Sequence, residues 1–167
     1  MAGPINTFLA DDHARLDALL CRSVAGPEGI HLSSYEEFRR GLLRHIAMEE
    51  KVLLPFARER RGGEPLPIAK QLRADHAALA GLLVPTPTRA IVASIRSILE
   101  AHNQLEEQFD GFYDACERLA GSGAGDVVLR LRAVPEVPVA PHCDEPHVHQ
   151  HIARVLHARA NLSRGGD

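Results

Sequence analysis

Two short strings occur twice in this chain, each copy separated from the next by about the length of one helical hairpin. Asp12-His13-Ala14-Arg15-Leu16-Asp17-Ala18-Leu19-Leu20 returns as Asp75-His76-Ala77-Ala78-Leu79-Ala80-Gly81-Leu82-Leu83, both reading DHAxLxxLL. His45-Ile46-Ala47-Met48-Glu49-Glu50 returns as His102-Asn103-Gln104-Leu105-Glu106-Glu107, both reading HxxxEE. Copies lie about 57 to 63 residues apart, which is one helix, a connection and a second helix. The repeat predicts a pseudo-twofold arrangement in which equivalent polar groups from four helices meet near one axis.

Gly and Pro punctuation at Gly26-Pro27-Glu28-Gly29, Gly62-Gly63-Glu64-Pro65, Val84-Pro85-Thr86-Pro87 and Gly121-Ser122-Gly123 separates four stretches of helical period. The first predicted helix runs from about Asn6 to Ala25, with Leu9, Leu16 and Leu20 on one stripe. The second starts near Ser33 and Ser34, each followed three residues later by Glu36 or Glu37 in capping-box spacing, and reaches about Arg61 with Phe38, Leu42, Val52 and Phe56 inward. The third runs from Pro67, at the favoured first helical position, to Leu83 with Ile68, Leu72, Leu79 and Leu83 inward. The fourth spans about Thr88 to Ala120 and carries Ile91, Ile95, Leu99, Phe109, Phe112 and Cys116. Short connections make neighbouring helices antiparallel, so the expected fold is all-α, an up-down-up-down four-helix bundle over residues 1–120. Residues 121–167 read as a C-terminal extension packing on that bundle. Its Val134-Pro135-Glu136-Val137-Pro138-Val139-Ala140-Pro141 run is extended because proline denies the backbone helix bonds, and a short helix follows from His147 to Leu162.

At about 100° per residue, His45 and Glu49 fall on one face of their helix, and His102 and Glu106 on one face of theirs. His13 continues the Leu9, Leu16, Leu20 stripe and His76 the Leu72, Leu79, Leu83 stripe. A single histidine on an apolar stripe is more often a hydrogen-bonded core residue than a ligand. Six coincident polar residues are another matter, because two glutamates buried together need cations or protons. Four imidazoles beside them make a metal the natural partner. Imidazole and carboxylate without thiolate suit iron, manganese or zinc, and two carboxylates able to bridge suit a pair of ions. Simple pairing puts His13 and His45 on one ion, His76 and His102 on the other, with Glu49 and Glu106 between them, a partition that spacing alone does not fix.

Composition removes several other classes. Nineteen Lys and Arg against 22 Asp and Glu give a formal charge of -3, which leaves no positive excess for nucleic acid or an anionic membrane. No apolar run reaches the roughly 18 residues of a bilayer span, and the amino-terminal stretch lacks the basic start of a secretory signal. A cytoplasmic protein is expected. Three cysteines, Cys21, Cys116 and Cys143, fit neither a disulfide framework nor a CxxC zinc site.

The order His13, His45/Glu49, His76, His102/Glu106 resembles the hemerythrin-like (HHE cation-binding) domain, and the resemblance covers residues 6–120. It implies a non-haem diiron centre, with two oxo- or hydroxo-bridged iron ions in a four-helix bundle. Dioxygen, peroxide or nitric oxide would be its small-molecule ligands. Oxygen-carrying members place a further histidine one turn before the third-helix histidine, where this chain has Leu72. The four-His, two-Glu variant is therefore more similar to members associated with sensing or with catalase-like peroxide decomposition. An iron, oxygen or nitric-oxide sensor without turnover is the rival expectation, and a zinc-loaded structural bundle is a third.

The other polar residues receive plainer readings. Asp12 and Asp75 lie about 100° from their histidine neighbours and are expected to be locally solvated, with Glu50 and Glu107 outside the ligand set. Tyr35 and Tyr113 are read as core or surface, although Tyr113 lies seven residues beyond Glu106. His142, Cys143, His147, His149 and His151 in the tail are read as surface residues rather than a second metal site.

Overall fold

The computed structural model describes residues 2–164, and every regular element among them is helical. Helix α1 covers Pro4–Ser23 and α2 covers Leu32–Met48. α2 runs on through a π-helical segment, Glu49–Leu53, into α3, Leu54–Arg60. Next come α4 (Ala69–Leu82), α5 (Arg89–Glu107), α6 (Phe112–Ala120), α7 (Ala124–Arg132) and α8 (Pro146–Arg164). None of these helices is long and apolar enough to cross a membrane.

Local chemistry sets several of the ends. Pro4 opens α1 at a position that needs no N–H. Thr88 caps α5 by accepting from the Ile91 N–H at 3.2 Å. The expected capping box at Ser33 or Ser34 does not start α2; His31 is the cap, and its Nδ1 accepts from the Ser34 N–H. The third helix begins at Ala69 rather than at Pro67. Pro55 has no N–H for the carbonyl of residue 51 and its ring crowds that carbonyl, and the widened π turn directly before it accommodates both effects.

The predicted fourth helix is two helices. α5 stops at Glu107, Asp110 takes a left-handed backbone conformation with φ of 63°, and α6 restarts at Phe112. Gly111 is required there, because a Cβ would lie 2.8 to 2.9 Å from the carbonyl oxygens of Leu105, Glu106 and Gln108. The break resets the helical phase. Phe109, expected inward, is 96% exposed, while Phe112, Tyr113 and Cys116 are buried.

Two apolar clusters result. One contains Ile5 and Leu9 of α1, Met48 at the end of α2, Leu72 of α4, and Phe112 and Cys116 of α6. The other contains Leu16 and Leu20 of α1, Phe38 and Leu42 of α2, Leu79 and Leu82 of α4, and Ile95 and Ile98 of α5. Between them the same helices carry buried polar side chains, among them His13, His45, Glu49, Asp75, His76, His102 and Glu106.

Helix α7, not anticipated from the sequence, lies against α1, and α8 lies along α4. The stretch between α7 and α8 has no regular structure and is held by side chains. Arg44 Nε donates to the Val134 carbonyl at 2.9 Å, Arg39 Nη2 to the Ala140 carbonyl at 2.9 Å, and the Thr86 N–H to Asp144 Oδ1 at 2.9 Å.

Candidate metal centre

The six residues singled out from the repeat converge in the polar layer. Ligand atoms of His13, His45, Glu49 and Glu106 lie within 4.8 Å of one another, as do those of Glu49, His76, His102 and Glu106. The two sets share both glutamates, and all six side chains are buried. Metal–nitrogen and metal–oxygen bonds of about 2.0–2.2 Å put opposite ligands a little over 4 Å apart, so each set needs only a slight contraction to close on an ion.

The inner geometry has the symmetry of the repeat. Glu49 turns Oε1 toward His45 Nε2 at 3.5 Å and Oε2 toward His76 Nε2 at 3.0 Å. Glu106 turns Oε2 toward His13 Nε2 at 3.4 Å and Oε1 toward His102 Nε2 at 3.2 Å. Each glutamate thus offers one oxygen to each half of the site, the arrangement a bridging carboxylate needs.

An outer ring of acids orients the imidazoles. His13 Nδ1 meets Glu107 Oε1 at 2.5 Å and His76 Nδ1 meets Glu50 Oε1 at 2.7 Å. His45 Nδ1 meets Asp12 Oδ2 at 2.8 Å and His102 Nδ1 meets Asp75 Oδ2 at 3.1 Å. A carboxylate accepts only, so each Nδ1 carries a proton and donates it, which leaves every Nε2 to face the centre. The expectation of local solvation for Asp12 and Asp75 is therefore corrected, and Glu50 and Glu107 gain a supporting role. An aspartate 100° from its own neighbour points at a different helix, and there it finds the histidine of the next element.

The donor set is incomplete without a positive centre. His13 Nε2 and His45 Nε2 lie 2.9 Å apart, and with both Nδ1 atoms protonated this brings two lone pairs face to face unless a proton or a cation lies between them. Glu106 Oε1 is buried with no hydrogen-bond partner. Six carboxylates crowd the layer, and three arginines answer them from outside: Arg15 on Asp12 at 2.8 Å, Arg73 on Glu50 at 3.4 Å and Arg159 on Asp75 at 2.6 Å. Two fully buried glutamates beside unshared imidazole nitrogens fit metal cations.

Tyr113 was not expected here. Fully buried, its hydroxyl lies 2.7 Å from Glu49 Oε1, 3.1 Å from Glu106 Oε2 and 3.2 Å from His13 Nε2. It stands in the His13/His45 half only, and the equivalent position seven residues after Glu49 is Phe56. Burial, then the charges of Glu106 and Glu49, push its pKa well above 10, so it is a neutral phenol that donates. Tyr35 does not reach the site; it packs on Phe38 and His142 with ring centroids 6.1 and 6.3 Å away. Leu72, where an oxygen carrier would have a further histidine, is fully buried in the first apolar cluster.

Tail residues do not join a ligand set. His142 Nε2 pairs with Glu36 Oε1 at 2.5 Å, and His147, His149 and His151 are exposed. Among the described residues, neither group of converging ligands contains a tail residue.

In the metal-free protein the same atoms compete for protons. Burial opposes charging His45, but Glu49 and Asp12 outweigh it and raise its pKa to about 10. His102 reaches about 10 through Glu106 and Asp75, and His76 about 9 through Glu49 and Glu50, again against burial. Glu49, despite burial, is held well below the usual carboxylate range by His45 and His76. A histidine whose pKa rises on folding stabilises the fold fully below its unfolded value of about 6.5 and loses that contribution as pH climbs through the folded value. Metal-free protein is therefore expected to melt progressively lower as pH rises from about 6.5 to about 10. Metal-loaded protein, with ions in place of those protons, should hold its melting temperature over the same range. Parallel thermal scans of chelator-treated and loaded samples check this, and an equal alkaline loss in both would contradict it.

Comparison with protein-family models, with curated proteins and with solved structures finds no match to this chain.

Proposed function

We propose that this chain is a hemerythrin-like diiron protein that reacts with dioxygen-derived species in the cytoplasm, decomposing peroxide. The observation that carries this reading is the orientation of the four histidines: every Nδ1 is committed to a carboxylate, and every Nε2 faces two buried glutamates that each reach both halves. The chain passes from the first apolar cluster to the second along α1, returns along α2, crosses again along α4 and returns through α5 and α6, which supports an antiparallel up-down-up-down bundle, with the described residues after 120 appended to it.

His13, His45, Glu49 and Glu106 would hold one iron, and Glu49, Glu106, His76 and His102 the other. Iron bound there supplies Lewis acidity and electrons to a small oxygen ligand. The chain's own groups do the rest. The outer acids fix the histidine tautomers, the apolar clusters limit water, and Tyr113 keeps a proton 2.7 Å from Glu49. Thiolate stays out of the set; Cys116 is buried, and burial raises its pKa. Metal analysis with an optical spectrum and an oxygen electrode tests the proposal. Two irons per chain, ferric absorbance and oxygen release on adding hydrogen peroxide are expected; a colourless zinc protein without turnover would overturn it.

One contact favours the sensing alternative. Arg159 of α8 donates to Asp75 at 2.6 Å, and Asp75 accepts from His102, so the terminal helix touches the centre through two side chains. Arg159→Met is expected to lower metal affinity about 10- to 100-fold, the usual cost of losing a supporting partner. Competition with a chromophoric chelator measures it. If affinity is unchanged, the α8 contact has no bearing on the metal. Sensing would further show as metal-dependent protection of α8 amides in hydrogen exchange.

A further inference from the structure

One cavity opens onto the ligand set. It has a volume of about 240 Å³, and its floor is formed by His13, His45 and His102. Leu16, Leu20, Leu42, Leu79 and Leu99 line its walls, while Asp17, Arg96 and Glu100 form a more exposed rim. Hydrogen peroxide or dioxygen alone needs far less room, since a water molecule's share of the liquid is about 30 Å³ and an apolar cavity of about 150 Å³ holds benzene. By the benzene measure this cavity takes about ten non-hydrogen atoms.

The lining selects the chemistry of the occupant. Five leucines offer no hydrogen bonds, so its body is apolar. The rim sets its charge: two carboxylates stand against one guanidinium, whose Nη atoms face Cys21 Sγ at 3.5 Å, and this balance disfavours an anion. The polar end of an occupant meets the histidine floor, beside Asn103.

We infer that this cavity binds an uncharged organic hydroperoxide, with its apolar body between the leucines and its O–O–H end at the histidine floor. The inference deepens the peroxide reading and rests on it for the reactive end of the ligand; the fit of the body rests on the cavity alone.

The inert alcohol 2-phenyl-2-propanol, which is cumene hydroperoxide less one oxygen, serves as the probe. Methyl NMR spectra of the full chain are recorded during its titration, in metal-free and in zinc-loaded samples, both diamagnetic. Saturable shifts are expected at Leu20, Leu42, Leu79 and Leu99, with the methyls of the other apolar cluster unmoved. Leu99→Trp, a plug at a half-buried wall position, should weaken binding at least about tenfold. Absence of saturable shifts in the folded wild-type chain, or equal binding by Leu99→Trp with an unchanged spectrum elsewhere, overturns the inference. Zinc titration of the same sample reports separately on the ligand set, so a failed metal centre and a failed cavity give different results.

Discussion

Glu49→Ala is expected to empty both ion positions while leaving the helices in place. Glu49 gives one oxygen to each half of the site, so on the diiron reading its loss would take a ligand from both ions at once. The cost should exceed, for each ion, the roughly 10- to 100-fold typical of a mere supporting group. Metal content should fall from two per chain to near zero after dialysis against a weak chelator, with peroxide turnover lost in step. The metal-free variant is also less stable than metal-free wild type, because His45 and His76 lose the carboxylate that raised their pKa values. Both apolar clusters lie outside the change, so far-UV circular dichroism should stay helical. Full metal retention in the variant would remove Glu49 from the centre and with it the bridged arrangement.

The second large effect is expected from Tyr113→Phe. The substitution deletes one oxygen and nothing else, and it makes the two halves of the repeat alike, since Phe56 already holds the equivalent position. What disappears is a buried phenol that donates to Glu49 at 2.7 Å and lies 3.1 Å from Glu106. A positioned proton donor contributes about 10²–10⁴-fold to a reaction that must protonate a leaving oxygen. Peroxide turnover should therefore drop about 100-fold with the metal count unchanged. Stability should change by only about 1 kcal/mol, the net value of one hydrogen bond. An altered pH profile of turnover would mark the group as chemical rather than structural. Wild-type turnover and an unshifted profile in the variant would leave Tyr113 with a packing role alone.

Much of the centre was legible because a ligand set built on a repeat announces itself twice. His13 and His76, and likewise His45/Glu49 and His102/Glu106, fall on apolar stripes at the same register, and angular arithmetic then turns them inward. Spacing alone does not fix how the six divide; the side chains that could hold an ion form two groups sharing both glutamates. The outer acids were misread for an instructive reason. Periodicity compares a residue with its own helix, whereas Asp12, Asp75, Glu50 and Glu107 each serve a histidine on another one. The signal was available, because the aspartate of DHA and the second glutamate of HxxxEE repeat as faithfully as the ligands do.

Errors of phase have a separate origin. Reading one helix through residues 88–120 placed Phe109 inward, although Asp110-Gly111 is a turn dipeptide and Gly111 sits where no Cβ fits. Once the break is included, the Phe112, Tyr113, Cys116 spacing points to the core, as observed. Pro55 gave a similar warning in the second predicted helix, where the chain widens into a π turn instead of breaking. Helix α7 went unseen because Gly121, Gly123 and Gly125 precede an apolar stretch too short for its period to register.

The two halves of the centre also differ in when the ribosome can finish them. Asp12 takes its guanidinium from Arg15, three residues along the same helix, while Ala78 stands in the corresponding place beside Asp75 and the guanidinium comes from Arg159. Because translation runs from the amino terminus at about 5–20 residues per second, the His13/His45 half has all its parts once Tyr113 has emerged, and the His76/His102 half waits for the last helix. If each half takes a cation, a nascent chain released before residue 159 is expected to fill the earlier half first.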